Sequence, residues 1–580
     1  MSTAPGPTGA LRGSQAAWVG IALFLLVWFC NLDYRHLIRT DEGRYAEIAR
    51  EMVVSGDWIT PRQNGYKYFE KPPLQYWATA TAFELFGIHE WTARLWTALC
   101  GLMGIAFTFF AARRIWDVRV ATLAAVILGG TLQWVAMGHF SSLDMSLAAF
   151  LSAAIAAFCA AHGPHPSRSA PGRDAGRLRT AGATATAGSA AAVRPLTDPR
   201  WMMAAWACAA LATLSKGIVA MALPAATIGL YMLWRRDWDI IRRSRPIAGG
   251  ALFIVITAPW FVLVAGRNPE FLQFFFIQEH LSRFLTPMHG RNAPLWFFVP
   301  VLIGGLMPWT LALPAALKAA WPRSVQRFDP AGFLGLWVVV SFCFFSLSHS
   351  KLESYILPIY PALAVLLALT LPGLGRRAFG WLAASNTLAG VALAGATVVM
   401  VERGSRHIPA ELLGRYEPWL IGAGVALAAA GLIAGHLDRT ARRVGAIITL
   451  AAGSLLASQL ALSGHESLAP LYSSYHTALG IRPLLTPDTP FYSVDTYDHT
   501  MPFYAGRTLI MVGYKDEMAV PIDREPGPFL PDLARFEQAW RAAPHALALM
   551  TAEQFSRFEQ AGLPMAQVAR DPRRVIVSKP

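Results

Sequence analysis

Cysteine is scarce and scattered. Cys30, Cys100, Cys159, Cys208 and Cys343 are the five in 580 residues, and each falls inside an apolar run. No Cys-x-x-Cys or Cys/His spacing occurs, so neither a disulfide framework nor a thiolate metal site is indicated. Charge is scarce too: 15% of residues are Asp, Glu, Lys or Arg against 54% hydrophobic, and the mean hydropathy is +0.38. Soluble domains are not composed this way, whereas polytopic membrane proteins are. No small-residue cleavage site follows residues 16–30, so this stretch reads as a retained anchor. Nor does the chain divide into two related halves with broken helices, the pattern expected of a transporter or flippase.

Apolar sequence fills the chain instead. Runs of roughly 17–25 apolar residues, enough to cross about 30 Å of hydrocarbon, recur throughout. About thirteen spans are expected. They centre on residues 19–30, 95–111, 120–136, 147–160, 201–214, 219–233, 251–264, 296–312, 333–347, 356–371, 382–400, 421–435 and 447–462. Basic residues fall in alternate connections: Arg113, Arg114 and Arg119; Arg168 to Arg200; Arg235 to Arg245; Lys318 to Arg327; Arg376 and Arg377; Arg439 to Arg443. The net charge of +14 is therefore a topology signal and not a nucleic-acid surface. The positive-inside rule makes those connections cytoplasmic. The links around Asp41, Asp144, Lys216, Glu279–His280 and Lys351, and everything after residue 464, then share the opposite face.

Residues 163–198, rich in Ala, Gly, Pro, Ser and Arg, read as a flexible cytoplasmic linker. After residue 464, short apolar runs (490–494, 508–512, 546–549, 574–577) alternate with helix-like stretches (532–542, 552–561), which predicts a small α/β domain over 464–580. The expected fold is thus an α-helical polytopic membrane protein over residues 1–463. It carries an outer loop at 33–90 and is followed by a small C-terminal α/β domain outside the membrane.

Ionisable residues concentrate in the loop 33–90, and at a membrane face such a group is a candidate site. Asp41 begins a helical stripe with Tyr45, Ile48 and Met52, and reads either as an N-cap or as a functional carboxylate. Glu42, Arg44, Glu47, Arg50 and Glu51, three and four residues apart, predict a solvated helix face. Asp144, in Phe140-Ser-Ser-Leu-Asp144-Met, falls at the same face, again as a cap or as a partner of Asp41. Two carboxylates there would orient a nucleophile or stabilise positive charge developing at a sugar carbon. Lys71, in Tyr68-Phe-Glu70-Lys71-Pro72-Pro73, precedes proline, which holds its backbone extended and fixes a point charge suited to a phosphate. A salt-bridged surface lysine is the alternative, and Tyr68 adds a hydroxyl donor. Lys216 lies between two apolar spans; at the bilayer centre a lysine costs about 2.5–3.5 kcal/mol, so it must snorkel or meet an anion. His280 and Arg283 share a helix face, Lys351 and Tyr355 head a later span, and Glu70 with His280 would hold a divalent ion. Cations outnumber the candidate catalytic acids, which favours a phosphorylated lipid as ligand.

Several of these segments carry a resemblance: Asp41-Glu-x-Arg44-Tyr45-Ala-Glu-Ile-x-Arg-Glu-Met, Ser55-Gly-Asp-Trp, Tyr68-Phe-Glu70-Lys71-Pro, Ser215-Lys216-Gly-Ile, Glu279-His280-x-x-Arg283-Phe and Lys351-Leu-x-x-Tyr355-Ile-Leu-Pro. They resemble the lipid A 4-amino-4-deoxy-L-arabinose transferases, GT-C membrane glycosyltransferases distantly similar to protein O-mannosyltransferases. The resemblance implies about thirteen transmembrane helices, interfacial helices in the first outer loop and a periplasmic C-terminal domain. It implies an inner-membrane enzyme whose site faces the periplasm. The donor would be undecaprenyl phosphate carrying aminoarabinose, the acceptor a lipid A phosphate, and the outcome resistance to cationic peptides such as polymyxin.

Carried over residue by residue, Asp41 is the catalytic aspartate and Asp144 a looser match beside it. Lys71, Lys216 and Arg283 fall at donor-phosphate positions, with Arg44, Tyr45, Tyr68, Lys351 and Tyr355 as further substrate contacts. No cofactor is expected to be required; Glu70 and His280 match positions where a divalent metal such as zinc can sit, and neither a nucleic-acid partner nor an oligomer is expected. Transfer of another sugar, transfer to protein hydroxyls, and transport of a lipid-linked sugar are the alternatives.

Overall fold

Sequence that is apolar around the whole helix circumference can be buried only in lipid or against other helices, and the chain does both. The computed structural model describes residues 7–163, 197–282, 293–321, 328–405, 408–515, 518–525 and 527–579, with residues 7–14, 16 and 278–282 described by backbone alone. Among the described residues, eight helices are long and apolar enough to cross a bilayer, or nine if one bent pair counts as a span. Three shorter apolar helices, 17–29, Val118–Gly129 and Val219–Arg235, accompany them. Every one of the thirteen expected centres falls on a helix or a broken helix. The centre at 296–312 is not one straight span: Leu295–Gly305 and Thr310–Ala319 meet at 112°.

The first nine helices position the site. They are α1 (Pro7–Phe29), α2 (Asp41–Ser55), α3 (Leu74–Phe86), α4 (Glu90–Ile115), α5 (Val118–Gly129), α6 (Leu132–Met137), α7 (Leu143–His162), α8 (Pro199–Lys216) and α9 (Val219–Arg235). The axis of the bundle is α7, whose apolar window is 94% buried against 17% for the peripheral Arg376–Arg403. Its run of alanines and serines lets neighbouring helices approach closely, as membrane packing requires. At one end of the bundle, His162, Tyr231 and Phe328 pack together, and Arg114 lies 3.8 Å from Asp198. The candidate site residues gather at the other end.

After the last apolar helix, Arg443–Gly464, the chain builds a six-stranded sheet in the order β5-β4-β3-β6-β8-β7. Two short strands of the outer loop, β1 (Arg62–Gln63) and β2 (Tyr66–Lys67), form a separate hairpin. The sheet strands are β3 (Phe491–Val494), β4 (Ile510–Val512), β5 (Phe529–Leu530), β6 (Leu547–Met550), β7 (Ala566–Arg570) and β8 (Val575–Ser578). From β5 to β6 they are parallel; β8 and β7 add antiparallel. One face packs on helices Leu533–Ala542 and Ala552–Gln560 through Phe536, Trp540 and Phe558. The other takes in Tyr66 from the outer loop, beside Ala478, Ile481 and Met501.

That docking buries the outer loop. Asn64 and Leu509 exchange two hydrogen bonds, at 3.0 and 2.7 Å. The Tyr504 hydroxyl accepts from the Leu37 amide at 2.6 Å, and Arg50 Nη1 donates to the Gly506 carbonyl at 3.2 Å. A Cβ on Gly43 would stand 2.7 Å from the His499 carbonyl oxygen, so only glycine admits this approach. The expected solvated face of α2 is therefore corrected: Glu42, Arg44, Glu47, Arg50 and Glu51 are all buried. The helix is a wedge between the bundle and the sheet domain, and its charges are paired internally. Arg50 grips Glu47 with two hydrogen bonds of 2.6 Å.

Glu51 accepts from the Gly65 amide at 2.9 Å, but burial, with the neighbouring Glu47 charge, raises its carboxyl to about 8. The folded protein thus holds this proton more tightly than the unfolded chain does. The stabilisation is fully present at acid pH and is lost as pH rises toward 8. Thermal midpoints of full-length protein in detergent should fall between pH 6 and 9, and Glu51→Gln should flatten that slope; an unchanged slope would remove Glu51 as its cause.

Candidate functional site

The entry to α2 is set by a buried ion pair. Arg94, in the first turns of α4, donates from Nε to Glu42 Oε1 at 2.8 Å and from Nη2 to Glu42 Oε2 at 2.9 Å. Its remaining donors reach the carbonyls of Leu32, Arg35 and His36, in the turn segment leaving α1. Glu42 also accepts from the amides of Ile38 at 3.2 Å and Ser141 at 2.9 Å. Burial opposes ionisation of this carboxyl, yet Arg94 holds it below the usual carboxylate range. The pair therefore pins the loop before Asp41 and the turn before Asp144 to one point.

Thr40 occupies the N-cap position, so Asp41 is not the cap; it lies in the first turn with its side chain 39% exposed. Arg44 Nη1 stands 3.3 Å from Asp41 Oδ1 and its guanidinium lies 5.9 and 6.0 Å from the rings of Tyr45 and Tyr68. Tyr76, between those rings, completes an aromatic wall. Burial raises the phenols of Tyr45 and Tyr68 well above their ordinary value, with Asp41 adding to the first and Glu70 to the second, so both remain neutral hydroxyls. The Tyr68 hydroxyl donates to Glu70 Oε2 at 3.2 Å, and Lys71 Nζ lies 3.7 Å from the same oxygen and 3.0 Å from the Glu70 carbonyl. A continuous path of contacts thus joins Asp41 to Lys71. Lys71 is salt-bridged, as one reading of the sequence had it, but its side chain is largely enclosed and not on an open surface.

Asp144 is buried near the start of α7 and does not cap it. Its Oδ1 pairs with Lys216 Nζ, and its Oδ2 accepts from the Ser354 hydroxyl at 2.6 Å. Lys216 lies 4.2 Å from the Tyr355 ring centroid, so three separate segments meet here. Leu143, beside Asp144, packs in the same cluster as Tyr45 and Tyr68, and the Asp144 charge is felt at Tyr45. Asp41 and Asp144 therefore flank one region.

Lys351 stands apart from these contacts: its buried ammonium donates to the carbonyls of Ser348 and Ala293. Arg283 and the side chain of His280 lie outside the described residues, so of the pair Glu70 and His280 only Glu70 is placed. Sequence reasoning passed over Arg94, which reads as one polar residue at the head of a span, 52 positions from its partner. It also passed over Ser354; its place next to Tyr355 was the signal.

Residues 477–579 match the aminoarabinose transferase C-terminal domain, and residues 17–275 match the dolichyl-phosphate-mannose-protein mannosyltransferase family. The undecaprenyl phosphate-α-4-amino-4-deoxy-L-arabinose arabinosyl transferase of Erwinia tasmaniensis is 32% identical over 418 residues, covering 70% of each chain. The chain belongs to the aminoarabinose transferase family. The relative of the same description from Aeromonas salmonicida is 34% identical over 354 residues, an alignment spanning 59% of that protein. The crystal structure of ArnT from Cupriavidus metallidurans bound to undecaprenyl phosphate is matched over 97% of this chain and 98% of that one, with 37% identity and a TM-score of 0.86. The aminoarabinose transferase fold therefore runs through both the bundle and the sheet domain.

The Asp144–Lys216 contact generates a stability prediction. Removing either partner leaves the other charge enclosed, so Lys216→Ala or Asp144→Ala should each cost about 3 kcal/mol. The double variant should cost clearly less than the sum in a double-mutant cycle read by denaturant unfolding in detergent. Simple additivity would mean that the two charges do not meet.

Proposed function

We propose that this protein transfers 4-amino-4-deoxy-L-arabinose from undecaprenyl phosphate to a phosphate of lipid A, at the periplasmic face of the inner membrane. The observation that carries the reading is the convergence of Asp41, Arg44, Tyr68, Glu70 and Lys71 along one line of contacts, with Asp144 and Lys216 alongside. The family relatives act, by their descriptions, on undecaprenyl phosphate-linked aminoarabinose, which supplies the donor class. Both proposed lipids keep their tails in hydrocarbon, which is why the site is mounted at the mouth of a helical bundle.

In the proposed step an oxygen of the acceptor phosphate attacks the anomeric carbon and forms the new C–O bond. The bond from that carbon to undecaprenyl phosphate breaks, and its electron pair leaves with the phosphate. One in-line displacement inverts the carbon. A phosphate monoester with its second pKa near 6 is already largely ionised at neutral pH, so little proton transfer is required. Asp41, exposed at the mouth and held by Arg44, orients the nucleophile. Lys71 and Lys216 stabilise the leaving phosphate as its charge grows. Tyr45 and Tyr68 remain neutral and line the region without adding charge.

Expression in a strain lacking this activity, followed by mass spectrometry of lipid A, tests the proposal. A gain of one aminopentose with polymyxin resistance is the expected result; an unmodified lipid A despite verified expression would overturn it. Asp41→Asn should lower transfer by at least about 100-fold while leaving the thermal midpoint unchanged, and substantial residual activity would take Asp41 out of the mechanism. Lys71→Ala should weaken productive donor binding roughly 10- to 100-fold. Unchanged turnover and donor affinity would rule out its phosphate role.

A further inference from the structure

A second group of ligand-type side chains takes no part in the proposed transfer step. His36 comes from the turn segment between α1 and α2, Glu466 from the turn after the last apolar helix, and His476 from helix Tyr475–Ile481 at the start of the sheet domain. A ligand atom of each lies within 4.8 Å of the others. His36 Nε2 is 3.6 Å from Glu466 Oε1, close to the ligand–ligand spacing that zinc–ligand bonds of about 2.0–2.2 Å impose in a tetrahedron. The His476 side chain is exposed, so rotation about its own bonds would bring its ring nitrogen within ligand distance.

The orientation of His36 is what distinguishes this group from a chance meeting of polar residues. Its Nδ1 lies 3.1 Å from Glu90 Oε1 at the head of α4, the arrangement in which a bound metal would take Nε2 while Nδ1 donates to the carboxylate. Histidines that bind a metal are held in this way, one ring nitrogen donating to a carboxylate and the other ligating. The ring is further fixed by stacking on Tyr475 at 3.5 Å and 17°, and the His36 amide donates to Glu466 Oε2 at 2.8 Å. Two neutral imidazoles and one carboxylate suit zinc, whereas calcium and magnesium demand more oxygen ligands. The exposed side leaves a fourth position for water.

We propose that His36, Glu466 and His476 form a zinc site, oriented by Glu90, that ties the sheet domain to the helix ends. It stands independently of the sugar transfer proposed above. Its place is suited to a tie, because each ligand sits on a different segment and each segment carries its own connection to the bundle or the sheet.

The test uses full-length protein in detergent, purified without a polyhistidine tag, stripped with chelator, then dialysed against zinc chloride and desalted. Metal content by mass spectrometry should fall by one zinc equivalent in His476→Ala and in Glu466→Gln, while Glu70→Ala keeps that equivalent. Zinc should raise the thermal midpoint of the wild type, and neither substituted protein should show the full rise. Because His476 is exposed, its replacement leaves the fold intact and keeps the result readable even if Glu466→Gln unfolds. A zinc content untouched by His476→Ala, or no retained zinc in the wild type, would overturn the proposal and leave a hydrogen-bonded cluster only.

Discussion

The pairing of Glu42 with Arg94 is the constraint on which the site rests. A guanidinium removed from water persists only where other groups replace its hydration. Arg94 obtains a bidentate carboxylate and three backbone carbonyls. Those carbonyls belong to the segment between α1 and α2, and the carboxylate accepts from Ser141 ahead of α7. A buried ion pair of this kind is weak evidence for net stability, since its desolvation cost offsets most of its attraction. Its consequence is positional: breaking it would leave a charge without solvent, so the three segments have one arrangement that satisfies it. Asp41, adjacent to Glu42, inherits that arrangement.

The same logic explains how a helix as charged as α2 is buried. Its charges sort by depth. Glu42, Glu47 and Arg50 find partners inside, on α4, within the helix itself, or on the sheet domain at Gly506. Asp41 keeps access to solvent at the N-terminal turn. The sheet domain therefore acts on the site from behind: by closing over α2 through Gly43, Asn64 and Tyr504, it removes water from one face of the helix, while Asp41 at the N-terminal turn stays partly exposed. A domain with no catalytic motif of its own is thus part of how the site is built.

Much of this was legible in the sequence because it is encoded by period and composition. The thirteen apolar centres, the strands at 491–494, 510–512, 547–550 and 575–578, and the two amphipathic helices at 533–542 and 552–560 all follow from residue patterning. The separation of two ends was legible as well, since arginines in alternate links mark one of them. Four things were not. The burial of α2 depends on a domain that begins more than 400 residues later, and mixed charges at helical spacing look the same whether water or protein faces them. Edge strands β5 and β7 are short or mostly exposed and carry little apolar signal. The 112° break in residues 295–319 is hidden because both arms are apolar. The pairing of Asp144 with Lys216, 72 positions away, is a tertiary fact.

Each lysine placed near Asp41 already has an acid: Lys71 has Glu70 and Lys216 has Asp144. In the proposed reaction this balance has a purpose. A sugar joined to undecaprenyl phosphate is a diester with one negative charge, and the departing monoester gains a second. The acceptor phosphate moves the opposite way, from two charges toward one. The transfer therefore shifts negative charge from one phosphate to the other without changing the total. Bare lysines would bind the donor tightly in its ground state, which deepens the starting point without accelerating the step. Lysines held by carboxylates attract the singly charged donor weakly and the doubly charged leaving group more strongly, because the added charge competes better with the acid. In the proposed reaction the difference between those two interactions, and not the strength of either, would accelerate the step.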